Sequence, residues 1–410
     1  MKLLLLSTKF PFPLKDGESQ AIHGLSKSLA ELGCQVHLLA MNTSKHFYES
    51  GTLPPEMDHY ASVEAVTIDN RLSLRGAVGN LFSRDSYHVS RFVSPAFSAA
   101  LERKLKRETF DFIQLETLYL APYIPLLRRL TDSPVAMRAH NVEHEIWERT
   151  CANLAFGPKR IYLRYLTDKL RRYEHEQLAA YDLLLPITER DGRRFRQMGY
   201  RGNYLALPLG LDADHLEPDY NSFRRPISLS FIGSLDWMPN LEGLEWFLRD
   251  VWPAAKRCLP ALEFHVAGRN MPERMRRRRT PGVQFHGEVP CSQGFINAHS
   301  VMVVPLLSGS GMRAKILEAM ALGKVVITTS LGLEGIAAEH RRHVLVADTP
   351  REFVQALLDT HAMNGSLERM GRSARTLFEE VYDRRRPAAR LLDVYLSRLN
   401  EQRAPVALRD

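Results

Sequence analysis

Apolar positions recur along this chain in two alternating patterns. Short unbroken apolar runs lie at 2–7, 35–40, 63–68, 110–115, 135–138 and 183–186, each bounded by Gly, Pro or polar residues. Between them the spacing turns helical, at about 19–32, 93–107, 118–130, 161–181 and 189–198, with Pro122 and Pro125 interrupting the third of these stretches. Runs that are apolar on both faces suit buried parallel strands. Strands alternating with helices predict an α/β fold with parallel sheets. The pattern restarts after a polar, proline-bounded segment at 218–226. Runs then follow at 227–232, 262–268, 283–289, 301–307 and 325–329. Two doubly wound domains are therefore expected, 1–217 and 218–385. A last segment, 386–410, carries Leu391, Leu392, Val394, Tyr395 and Leu399 at amphipathic spacing, which predicts a helix docking back on the first domain.

The densest chemistry lies at 300–335. A strand over 301–307 runs into Ser308-Gly309-Ser310-Gly311, a helix is predicted over 312–323, and a second strand follows. Gly309 and Gly311 let backbone approach a ligand. The first N–H groups of a helix lack partners, and its dipole places positive charge there. Arg313 and Lys315 are predicted in that first turn, where a cation opposes the dipole. An anion such as a diphosphate would compensate. Glu318, three residues beyond Lys315, is placed to accept hydrogen bonds from sugar hydroxyls. A plain strand–helix–strand unit with a solvated charged face is the competing reading.

This segment resembles the C-terminal domain of bacterial family-four retaining glycosyltransferases, whose GT-B fold has two Rossmann-like domains facing across a cleft. Their motif places two glutamates around this helix with seven residues between them. The second matches Glu318, followed by Ala-Met-Ala-Leu-Gly, and the first falls on Ser310. A branch of the family keeps a Gly-x-Gly-x-Arg-x-Lys form instead, as here. The resemblance implies a metal-independent transfer of sugar from a nucleotide-diphosphate donor to a hydroxyl acceptor. The donor is a substrate, and no cofactor is implied. Arg313, Lys315 and the helix N-terminus would stabilise the leaving diphosphate. Gly309, Ser310, Gly311, Met312 and Glu318 would bind the donor, as would Gly233, Ser234, Gly268 and Arg269 at two further strand ends. His286 and Val289 would seat the nucleobase. On the acceptor side, the loop after the first strand offers Asp16, Gly17 and Glu18.

His140 follows the carboxyl end of the strand at 135–138, where a doubly wound domain meets its ligand. It is expected to donate to a phosphate or sugar hydroxyl; a helix-capping or structural histidine is the other reading. His140 and His144 lack zincin spacing, and Asp212-Ala213-Asp214 lies away from the donor strand ends, so no metal is expected.

With 55 Lys and Arg against 47 Asp and Glu, the net charge is +8, which suits an anionic partner. Aromatics are not interleaved with the basic residues, and nucleic acid is not expected. Four scattered cysteines and no long apolar run fit a cytoplasmic protein. Lys159, Arg160, Arg164, Lys169, Arg171 and Arg172 share one helical stretch. This predicts either weak peripheral binding to an anionic inner membrane face or a solvated basic face on a packed helix. Two other functions remain open from sequence: a silent nucleotide-sugar-binding partner and a sugar-nucleotide 2-epimerase.

Overall fold

The computed structural model describes residues 1–14, 17–44, 47–48, 53–71, 80, 86–152, 154–309, 311–363 and 365–403. Asp16 and Ser310 lie outside this set. The chain forms two compact units, Met1–Gly210 with Arg384–Asp410, and Leu211–Asp383. The change of unit comes earlier than 217. Leu211 already donates its N–H to the Tyr382 carbonyl and bridges Asp383, both in unit 2.

Unit 1 holds a sheet of β1 (Lys2–Ser7), β2 (Gln35–Thr43), β3 (Ser62–Ile68), β4 (Phe112–Leu115), β5 (Val135–Ala139), β6 (Leu183–Pro186) and β7 (Asn203–Tyr204), in the order β3-β2-β1-β4-β5-β6-β7. Its pairings are parallel. The Leu3–Leu6 run shows why such strands read as continuous apolar stretches. Leu4 and Leu6 enter the core on one face of the sheet, and Leu3 and Leu5 enter that on the other.

Unit 2 repeats the plan with β8 (Ser228–Ile232), β9 (Glu263–Ala267), β10 (Val283–Gly287), β11 (Val301–Val304), β12 (Val325–Thr328) and β13 (Leu345–Val346), in the order β10-β9-β8-β11-β12-β13. In both sheets the first strand is central and the order reverses beside it, the point where open α/β sheets bind ligands.

Six helices matter for the chemistry. They are α1 (Gly17–Glu31), α2 (Glu143–Ala152), α3 (Pro158–Gln177), α4 (Met238–Trp246), α5 (Ala314–Ala321) and α6 (Arg385–Arg403). The stretch with two prolines splits as its sequence suggests: a 3-10 turn at Leu118–Tyr123 holds Pro122, and an α-helix at Ile124–Leu130 starts beside Pro125. Helix α6 buries Leu391, Tyr395 and Leu399 in the unit 1 core, with the Tyr395 ring stacked 4.1 Å from Phe112. Just before it, Arg384 holds Glu31 of α1 through two hydrogen bonds of 2.6 and 2.9 Å.

Candidate functional site

In unit 2 a glycine ends or directly follows each of three neighbouring strands, at Gly233, Gly268 and Gly287. Gly233 N–H donates to Ala267 O at 3.3 Å, and Gly268 N–H donates to Gly287 O at 2.7 Å, so the ladder continues past the strands. A Cβ on Gly268 would lie 1.9 Å from the Gly233 carbonyl, which only glycine tolerates. The result is a floor of bare backbone at the carboxyl ends of β8, β9 and β10.

The switch point lies between β8 and β11. There Lys315, in the first turn of α5, donates to Asn240 Oδ1 at 2.8 Å, and its ammonium lies 5.0 Å from the Phe231 ring centre. A Cβ on Gly233 would come 2.5 Å from that ammonium. Burial, aided by Arg313, pulls the Lys315 pKa down to about 7. A desolvated cation beside bare backbone is suited to a diphosphate.

Arg313 is not in the first turn. It is the N-cap of α5, with extended backbone, and its guanidinium folds back to donate to the Gly311 carbonyl. The cause is local: Gly309 and Gly311 take φ of 110° and 78°, turning the chain so that the helix starts only at Ala314. The dipole argument therefore applies to Lys315, while Arg313 braces the glycine turn. Met312 is half-buried in the same turn. The turn is also tied to α4: Ser308 Oγ donates to Glu242 Oε2 at 2.6 Å, and Pro239 sits against Gly309.

Glu318 accepts from Ser292 Oγ at 2.7 Å, and burial raises its pKa, against the pull of Ser292 and Lys315. Ser234 donates to Asp236 through its hydroxyl and accepts at its carbonyl from Asn240 Nδ2 at 2.8 Å. Arg269 is exposed, and its carbonyl accepts from Leu235 N–H at 2.9 Å. His286 is exposed and Val289 half-buried. His286 Nε2 lies 3.0 Å from His265 Nδ1, and the His265 ring packs 4.3 Å from that of His299. Burial, reinforced by His265 and His286, pushes the His299 imidazole down to about 3.

In unit 1 the switch point lies between β1 and β4. His140, one strand further on, donates from Nε2 to Glu116 Oε2 at 3.2 Å. Glu116 is fully buried. Burial pushes its pKa up, but Arg138 and His140 outweigh burial and hold it below the ordinary carboxylate range. Gly17 opens α1, and Glu18 pairs with the buried Lys9 at 3.0 Å. Glu143 opens α2 and accepts from Tyr119 OH at 2.7 Å. Burial lifts the Glu143 pKa to about 8, with Glu174 and Glu18 adding to the rise. His144 is a structural residue. It is buried against Glu174, whose carboxylate also accepts the first N–H groups of α2.

Sequence reasoning gave no role to Glu116 or Asn240, and weighed Glu143 only as a metal ligand, which it rejected. Glu116 directly follows a strand, the same signal that singled out His140. Asp212 caps a 3-10 turn by accepting from Asp214 N–H, so the Asp-x-Asp is a local turn. Among the described residues no group of three His, Cys, Asp or Glu is placed to hold a metal ion, and no helix is long and apolar enough to cross a membrane. The basic face expected on α3 is smaller than its sequence. Lys169 is buried and donates to Asn80, and Arg171 pairs with Glu148 and Asp168. Lys159, Arg164 and Arg172 stay exposed.

Comparison with known proteins bears on both units. Residues 16–210 match the family model of a glycosyl transferase 4-like domain, and residues 226–362 match that of the glycosyl transferases group 1. A sucrose-phosphate synthase of Thermosynechococcus elongatus superposes with a TM-score of 0.69 at 14% identity, over 98% of this chain and 100% of that one. The Anabaena protein HepE, solved with UDP, gives 0.69 at 13% identity, over 97% and 100%. HepE has also been solved with UDP-glucose. An uncharacterized 44.6 kDa protein in the cps region of Klebsiella pneumoniae is 20% identical over 395 residues, 93% of this chain and 96% of that protein.

Proposed function

We propose that this chain, a glycosyltransferase of GT-B fold with 4-like and group 1 domains, moves a sugar from a nucleotide-diphosphate donor to a hydroxyl acceptor with retention and without a metal. One observation carries the donor assignment: the half-buried Lys315, its ammonium held by Asn240 beside the glycine floor of β8 to β10, at the switch point of unit 2. HepE, bound to UDP and to UDP-glucose, supports a uridine donor.

Lys315 would neutralise charge as it develops on the leaving diphosphate, with the N–H groups of α5 assisting and Arg313 fixing the turn that presents them. Glu318 would accept from hydroxyls of the donor, and His286 and Val289 would flank the base. In unit 1, His140 would donate to a substrate oxygen, with Glu116 holding its ring. The cps-region setting of the Klebsiella relative supports a glycan or lipid-linked glycan as acceptor. Exposed Phe156 and Ile161 beside Lys159 and Arg164 support its being reached at an anionic membrane surface.

The test is a thermal-shift panel of nucleotides and nucleotide sugars, followed by donor turnover with and without EDTA. Stabilisation by a nucleoside diphosphate and its sugar ester, with EDTA-insensitive turnover, is expected. Turnover lost with EDTA and restored by magnesium or manganese would overturn the metal-free mechanism.

A further inference from the structure

The segment joining β8 to α4 is fixed at both ends and along its length. Leu235 N–H donates to Arg269 O at 2.9 Å, and Asn270 Nδ2 donates to Asp236 Oδ2 at 3.0 Å. Asn240 bridges Ser234 O and the Lys315 ammonium at 2.8 Å each. Helix α4 itself presses on the exit of β11, since a Cβ on Gly243 would lie 2.0 Å from the Pro305 carbonyl. Pro239 against Gly309 and Glu242 on Ser308 complete the bracing.

On this braced segment Trp237 is 59% exposed and Met238 67% exposed, and Leu307 across the switch point is 38% exposed. Among the described residues no aromatic ring stacks on Trp237. Core packing therefore does not account for a large indole on a rigid loop in water. Its sequence neighbours do point to a ligand, because Pro239 touches the glycine turn and Asn240 touches the cation assigned to the diphosphate. A sugar bonded to that diphosphate is a large group with a hydrophobic C–H face that this site would hold.

We propose that Trp237 is a platform for the donor's sugar ring, its indole face packing on the pyranose, with Met238 and Leu307 extending the apolar surface. This rests on the donor reading given above. It makes Trp237 a specificity residue that distinguishes the sugar ester from the bare nucleotide, since Lys315 and the glycine floor serve the diphosphate of either.

The experiment compares binding of UDP, GDP and ADP with that of UDP-glucose, GDP-mannose and ADP-glucose, by calorimetry on wild type, Trp237→Ala and Trp237→Phe. For the pair that wild type binds, Trp237→Ala is expected to leave the bare nucleotide unchanged and to weaken the sugar ester about tenfold, with Trp237→Phe recovering most of the loss. Equal affinity of wild type and Trp237→Ala for the sugar ester would overturn the proposal and leave the donor site standing. So would equal weakening of nucleotide and ester, which would put the indole on the nucleotide. Failure of wild type to bind any of the six would overturn the donor reading itself, and this proposal with it.

Discussion

Glu116 Oε2 accepts from His140 Nε2 at 3.2 Å, and the same carboxylate is the last link of a buried chain that starts on the C-terminal helix. Tyr395 of α6 donates to Gln114 Oε1 at 2.6 Å, Gln114 Nε2 donates to Glu116 Oε1 at 2.5 Å, and Arg138 lies 3.5 Å from Glu116 Oε2. Helix α6 thus connects to His140 through two side chains, all within unit 1. Tertiary burial makes each of these bonds electrostatically stronger than it would be in water, and leaves each partner costly to strand.

Glu116→Gln should therefore reduce kcat/KM by roughly tenfold or more, as loss of a residue that orients a functional histidine does. Both Glu116→Gln and Glu116→Ala leave Arg138 buried without its carboxylate and should cost stability. The loss should be about 3–5 kcal/mol for Glu116→Ala and smaller for Glu116→Gln, whose amide keeps the shape and can still hydrogen-bond. Urea unfolding and steady-state kinetics on both variants check this. Wild-type kcat/KM in Glu116→Gln would separate Glu116 from the work of His140.

Glu143 makes unit 1 pH-dependent. Its folded-state pKa is about 8, against 4.5 for an unperturbed glutamate. Between these values the folded state holds a proton that the unfolded chain has released, so its stabilisation is complete below about pH 4.5 and is lost as pH rises through about 8. Melting temperature should fall by several degrees across that window, and Glu143→Gln should flatten the slope. A pH-independent difference between wild type and Glu143→Gln would remove Glu143 as the cause.

The alternation of strands and helices was legible because the central strands are buried on both faces and the breaks carry Gly, Pro or polar residues. Strand 183–186 matches its observed bounds, and β1 is exact in the same way. Helix starts were less legible. The pattern from 312 onwards is helical, but two positive-φ glycines delay α5 to Ala314 and move Arg313 out of its first turn. Side-chain burial was the least accessible. Nothing in the spacing of α3 distinguishes Lys169, which donates to Asn80, from exposed Arg172. The long-range pairs that shape the candidate sites, Asn240 with Lys315 and Glu116 with His140, join different strands and helices and leave no local period.

Lys315 should couple donor binding to pH. With its pKa pulled down to about 7 by burial, the free enzyme loses the ammonium as pH rises through neutrality. Binding of a diphosphate ester favours the charged form, so affinity for the nucleotide sugar that wild type binds should be constant below about pH 6 and fall by up to tenfold per pH unit above about 8. Lys315→Met should abolish that dependence and weaken binding throughout. Arg313→Ala, which loosens the glycine turn, should weaken binding while keeping the pH dependence. Calorimetry from pH 6 to 9 tests all three. Affinity that does not change with pH in wild type would remove Lys315 from the diphosphate.

The membrane proposal now rests on fewer residues than the sequence offered. Phe156 is 86% exposed and Ile161 58% exposed, at the turn into α3, and Lys159 and Arg164 are exposed beside them. Lys169 faces inward and Arg171 is ion-paired, so neither can contribute. Inserting an aromatic side chain releases about 1.5–3 kcal/mol, and each basic residue near an anionic surface adds about 1 kcal/mol at low screening. Together these support weak, reversible binding. Cosedimentation with phosphatidylglycerol vesicles should be measurable at low salt and fall steeply toward physiological ionic strength, where exposed charges are screened over about 8 Å. Phe156→Ser should reduce binding at every salt concentration, whereas Lys159→Glu with Arg164→Glu should reduce it mainly at low salt. Neither should change affinity for the nucleotide sugar that wild type binds, because these residues lie in unit 1 and the proposed donor site is in unit 2. A wild-type protein that ignores the vesicles at low salt would make a soluble glycan the better acceptor.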